Sequence, residues 1–169
     1  MPQMTEPMLK EFRQEAETTR RVLERVPADK LTWKPHSTSM SLGELAIHIA
    51  GIPGRLGSAV AQQDRLDLNP EAFVPAVPKD LQEIHDTFEQ SCKDAEAYLE
   101  SMSDQTAMAD WTLLARGNPV FTLPRIAVLR SIMLNHWYHH RGQLSVYLRM
   151  LDVPVPVIYG RSADENPFV

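Results

Sequence analysis

The stretch Leu134-Asn135-His136-Trp137-Tyr138-His139-His140-Arg141-Gly142-Gln143 sets two imidazoles, His136 and His140, four residues apart in a segment of helical periodicity. At about 100° per residue the two side chains lie roughly 40° apart and one turn apart along the axis, so both reach a single ion. Leu129, Ile132, Met133, Leu144, Tyr147 and Leu151 fall on the same side of that helix, and Arg130, Ser145 and Arg149 on the other. The histidines therefore interrupt an apolar stripe. Two imidazoles without partners in such a stripe cost on the order of a few kcal/mol, which a shared metal ion removes. One buried histidine is commonly just a hydrogen-bonded core residue, whereas an i, i+4 pair is a pattern that helical bundles use for inward-facing metal sites. His139 lies about 100° round the helix from His140 and should miss the ion.

Two ligands make a weak site, so a third is expected from another helix. His48, in Gly43-Glu44-Leu45-Ala46-Ile47-His48-Ile49-Ala50, is the best placed. Ser41 and Glu44 have capping-box spacing at the start of that helix, which favours a cap over a fourth ligand for Glu44. Arg55 falls near His48, as a surface arginine or as a binder of a ligand carboxylate. Gln143 lies about 20° from His136 in projection and suits a hydrogen bond to an imidazole N–H or a bound water.

The chain has 169 residues, 43% of them hydrophobic, enough for one domain with a substantial core and too few for two ordinary ones. A net charge of −5, with its Lys and Arg scattered, argues against a nucleic-acid partner. No apolar run approaches the roughly 18 residues of a membrane span. Met1-Pro2-Gln3-Met4-Thr5-Glu6 lacks the basic start and apolar core of a signal peptide. Cys92 is the single cysteine, so no intrachain disulfide forms and a reducing cytoplasm is the expected compartment. Its place beside Phe88 and Ala95 in a helical apolar pattern points to core packing.

Four amphipathic patterns separated by proline-bearing connectors predict an all-α four-helix bundle forming one domain over 1–169. The helices are expected over 5–25, from Ser41 onward, over 80–101, and from about Pro124 to Leu151. Pro53 should kink or interrupt the second just after His48, because its ring opposes the carbonyl of Ile49. The connector 63–78 reads as polar and irregular. Residues 104–123 read as extended or irregular, with room for two short strands.

Four segments together resemble the DinB/YfiT-like family: His136-Trp137-Tyr138-His139-His140-Arg141-Gly142-Gln143-Leu144, Leu42-Gly43-Glu44-Leu45-Ala46-Ile47-His48-Ile49, Trp33-Lys34-Pro35, and Tyr159-Gly160-Arg161-Ser162-Ala163-Asp164-Glu165. The resemblance covers nearly the whole chain. It implies a four-helix bundle, commonly a homodimer, with a divalent metal held by His48, His136 and His140. It also implies kinship with thiol transferases that use a low-molecular-weight thiol. Arg161 stands where the family commonly has proline, which bears on the tail's conformation.

Three neutral imidazoles leave a dication's charge uncompensated and at least one coordination position open. Such a site favours a thiolate or hydroxide at neutral pH. Imidazole donors suit zinc, nickel, copper and iron, and zinc or nickel is the expected ion. The leading expectation is a metal-dependent enzyme that transfers a low-molecular-weight thiol to a small electrophile, in detoxification or stress response. A metal-dependent hydrolase and a non-catalytic metal or small-molecule binding module are the alternatives.

Overall fold

The structure, a computed structural model, describes residues 3–168, so Met1 and Pro2 of the stretch read for a signal peptide lie outside the described residues. Four long helices carry the core: α1 (Glu6–Leu23), α2 (Leu42–Gln62), α3 (Leu81–Ser101) and α6 (Asn135–Met150). Between α3 and α6 stand two short helices, α4 (Asp104–Met108) and α5 (Arg125–Val128), and the strands β2 (Asp110–Ala115) and β3 (Asn118–Pro124). β1 (Arg65–Leu68) follows α2. The four-helix bundle expected from the apolar patterns is therefore present, with a small sheet added.

α2 is the central helix, and Leu42, Leu45, Ala46, Ile49, Ala50 and Ile52 are all buried, spread over more than one face. It starts where the sequence placed it: Ser41 Oγ accepts from the Glu44 N–H at 3.2 Å, and Glu44 Oε2 accepts from the Ser41 N–H at 2.6 Å. Of the kink or interruption expected at Pro53, the interruption does not occur: the helix runs on to Gln62. The groups it disturbs find other partners. Trp137 Nε1 donates to the Ile49 carbonyl at 3.0 Å, and Ser91 Oγ accepts from the Gly54 N–H at 2.7 Å. Gly54 also lets α3 approach closely, since a Cβ there would stand 2.9 Å from Ser91 Cα.

The fourth predicted helix is present as a continuous helical run from Arg125 to Met150, with a π-helical turn over Leu129–Leu134 joining α5 to α6. A π turn shifts the phase of everything after it. The fully buried stripe of α6 is Trp137, Arg141, Leu144 and Leu148, with His136 and His140 half-buried along its edge.

The segment 104–123 contains the two strands for which its pattern left room, preceded by α4, a short helix that extended residues did not predict. β2 and β3 pair antiparallel through a two-residue turn in which Arg116 (φ 51°) and Gly117 (φ 76°) both take left-handed conformations, the geometry of tight hairpins. β1 was not foreseen. It pairs parallel with β2, Leu66 opposite Leu113, and so makes the start of the 63–78 connector part of the sheet. Cys92 is buried, as its apolar neighbours implied.

The tail after α6 is anchored despite Arg161. Asp164 accepts from the Val155 N–H at 2.8 Å and pairs with Arg149, while Glu165 accepts from the Val157 N–H at 2.9 Å and pairs with Arg25 at 2.7 Å. Tyr159 joins the buried pair Arg141–Glu15 (2.6 Å) by donating to Glu15 at 3.1 Å. Among the described residues no helix is long and apolar enough to cross a membrane.

Candidate metal centre

α2 and α6 pack so that His48 faces His136 and His140. His48 Nε2 and His136 Nε2 are 3.2 Å apart, and one nitrogen from each of the three rings lies within 4.8 Å of the others. For comparison, bonds of 2.0–2.1 Å to a tetrahedral zinc place neighbouring nitrogens about 3.3 Å apart. The three residues singled out in the sequence are thus the group that could hold an ion, and no other such group occurs among the described residues. The donor set fits a divalent metal.

The surroundings prepare these nitrogens. Burial, followed by the charges of His140 and Arg55, pushes the His48 imidazole down to about 4. Burial and the neighbouring His140 and His139 push His136 to about 4 as well. His140 is lowered by burial, partly opposed by its hydrogen bond to Gln143. All three rings are neutral at pH 7, the form that binds metal.

Gln143 Oε1 accepts from His140 Nδ1 at 2.7 Å, so the proton sits on Nδ1 and the Nε2 lone pair is free. Of the two roles expected for Gln143, this is the bond to an imidazole N–H, and the imidazole is that of His140. Glu44 is committed to the helix cap and to Lys34, 3.4 Å away, and lies outside the triad. His139 is exposed beside His140, with ring centroids 5.0 Å apart, and takes no part in the triad. Arg55 folds back along α2, donating to the carbonyls of Gly51 and His48 at 3.3 Å, and stands 3.3 Å from His48 Nδ1.

A cavity of about 470 Å³ opens over the triad. Its far wall is built by Met40, Leu68, Pro70, Ala72 and Phe73, with Phe73 edge-on to His48 at a centroid distance of 5.9 Å. Sequence reasoning missed this wall, because the connector 63–78 reads as polar. The apolar residues Phe73, Val74 and Val77 among prolines were its signal. A larger groove of about 730 Å³ between α2 and α3 is lined by Arg55, Asp86 and Asp94, but brings together no metal-ligating set. Convergent donors, not size, mark the smaller cavity as the site.

A family model described as DinB family matches residues 1–166. The uncharacterized protein YrdA of Bacillus subtilis (strain 168) is 28% identical over 165 residues, covering 98% of this chain and 93% of that one. A DinB-like protein of Bacillus cereus ATCC 10987 has a similar crystal structure, with a TM-score of 0.72 at 23% identity over 94% of this chain and 100% of its own. Another DinB-like protein, from Bacillus subtilis, gives a TM-score of 0.68 at 20% identity, covering 92% and 99% of the two chains.

Proposed function

The chain belongs to the DinB family, and from that premise we propose a divalent-metal-dependent enzyme that joins a low-molecular-weight thiol to a small electrophile. The supporting observation is the triad's open side: three neutral imidazoles face a cavity of about 470 Å³, and among the described residues no fourth His, Cys, Asp or Glu joins them. A structural site would be closed by protein. When bound, the ion, zinc or nickel, supplies a Lewis acid that makes a thiol a usable nucleophile at neutral pH.

The chain's own residues do the rest. His48, His136 and His140 hold the ion, and Gln143 fixes the tautomer and angle of His140. The cavity wall positions the electrophile. The protein's single thiol, Cys92, is buried and pushed up to about 12 by burial, so it cannot be the nucleophile and the thiol must be a co-substrate. As the new S–C bond forms, the leaving group departs with its electron pair and the thiol proton passes to solvent. A cytoplasmic homodimer serving detoxification is the setting this reading implies.

The experiment is elemental analysis of protein prepared without a histidine tag, followed by addition of thiols to the cobalt-substituted form. A sulfur-to-metal charge-transfer band, lost in His140→Ala together with thiol-dependent turnover, is the expected result. Turnover without added thiol would replace this reading with a hydrolase. A band without turnover across a panel of electrophiles would leave a binding module.

A further inference from the structure

The chemistry of the cavity wall is one-sided. Met40, Leu68, Pro70, Ala72 and Phe73 present carbon to the triad, and among the described residues no Lys, Arg, Asp or Glu lines the space. Asn69 is the single polar wall side chain among them besides the imidazoles, and its Oδ1 accepts from the Glu71 N–H at 3.3 Å. Arg55, the cation that touches His48, lines the groove between α2 and α3 instead.

The wall is also held in place. β1 is paired with β2 up to Leu68, Asp67 accepts from the Gly117 N–H at 2.9 Å, and Arg116 pairs with Glu71 at 2.9 Å. Yet Leu68 is 43% and Phe73 54% exposed. Apolar surface left in water forgoes about 25 cal/mol per Å² of burial. A fixed, wet, apolar wall facing reactive nitrogens marks a surface that a ligand covers.

We propose that this wall selects the substrate: the electrophile seated over the triad is an uncharged molecule with an aryl or branched alkyl body, and Phe73 is its specificity-determining residue. The reacting end of that molecule rests on the proposed function; its apolar body rests on the wall alone. Against this wall a charged body would lose part of its hydration and meet no side chain of opposite charge. The volume suits a small molecule, not a peptide or polymer.

Two probes that share a methylthio group test the wall on metal-free protein: benzyl methyl sulfide, an uncharged aryl thioether, and (methylthio)acetate, its carboxylate counterpart. Affinities come from calorimetry, and the site of binding from the Met40 methyl resonance. Benzyl methyl sulfide should shift that resonance saturably and bind about tenfold tighter than (methylthio)acetate or better. Phe73→Asp should remove about that factor, while Phe73→Leu, which keeps the apolar face, should stay within about threefold of the parent. Phe73 is exposed, so unchanged circular dichroism is expected for both variants. Equal affinity for the two probes, or a Phe73→Asp variant that binds benzyl methyl sulfide as the parent does, overturns the proposal. Aryl preference without any thiol transfer would remove the proposed reaction and keep the wall's selectivity. Thiol transfer with the same KM for aryl and carboxylate electrophiles in parent and Phe73→Asp protein would remove the wall's role and keep the reaction.

Discussion

Trp137 Nε1 donates to the carbonyl of Ile49 at 3.0 Å, and that carbonyl is the one Pro53, four residues on, cannot serve because it has no N–H. Trp137 adjoins His136 on α6, and Ile49 adjoins His48 on α2. A single buried bond therefore repairs the proline's defect and sets the distance between two members of the triad. Trp137→Phe should keep the stacking with Phe12 (5.4 Å between centroids) but orphan the carbonyl, costing about 1–3 kcal/mol in denaturant unfolding. In a Pro53→Ala background the restored N–H can take over, so the same substitution should cost less, with a coupling of about 1 kcal/mol. Strict additivity would show that the two sites are independent.

Metal content should depend on the triad and not on its neighbour. His48→Ala, His136→Ala or His140→Ala should each leave a pair of ligands and a largely empty site by elemental analysis. His139→Ala should bind as the parent does, because the exposed ring lies outside the cluster. A His139→Ala variant that purifies empty would mean that the histidines of α6 are phased differently in solution.

Gln143→Leu removes the acceptor that holds His140 Nδ1–H and leaves all three ligands in place. Metal affinity should fall about 10–100-fold, measured by competition with a chromophoric chelator. Gln143→Glu keeps an acceptor and should retain most of the affinity.

The metal-free protein should lose stability as pH falls. His48 and His136 titrate near 4 in the fold against 6.5 in the unfolded chain, so between these values the unfolded state binds more protons. Their neutral forms cost the fold nothing above about pH 7, and the penalty grows from 6.5 down to about 4, where both states are protonated. The melting temperature should drop across that window more steeply than in a His48→Ala/His136→Ala variant. The two rings are only half-buried, so solvent screening makes the effect modest. Equal slopes in the two proteins would mean that both rings titrate normally in the fold.

Chelation should lower the melting temperature without unfolding the protein. An ion bound only by the folded state adds stability through mass action, whereas the apolar core of α1, α2, α3 and α6 includes none of the three histidines. Circular dichroism of the chelated protein should remain helical. A random-coil spectrum would instead identify a structural metal.

The sequence alone determined the four long helices, because each buries a stripe whose 3.6-residue period is visible in one dimension: Ile84, Phe88, Cys92, Ala95 and Leu99 in α3 are an example. It also determined the Ser41–Glu44 cap and the pairing of His136 with His140 on one side of α6, since local spacing controls both, whereas His48 meets them only through the packing of α2 on α6. Three features needed the tertiary structure. Pro53 is accommodated inside α2 where the Ile49 carbonyl it cannot serve takes a donor from Trp137, 88 positions from Ile49 in the chain, a bond no local pattern encodes. The π turn at Leu129–Leu134 rotates α6 so that Trp137 and Arg141 take the core face and the histidines its edge, a phase set by packing against α2. The wall at Leu68–Phe73 exists because β1 pairs in parallel with β2, a strand more than 40 residues further along the chain. Residues that read as an irregular connector thereby face the triad across space.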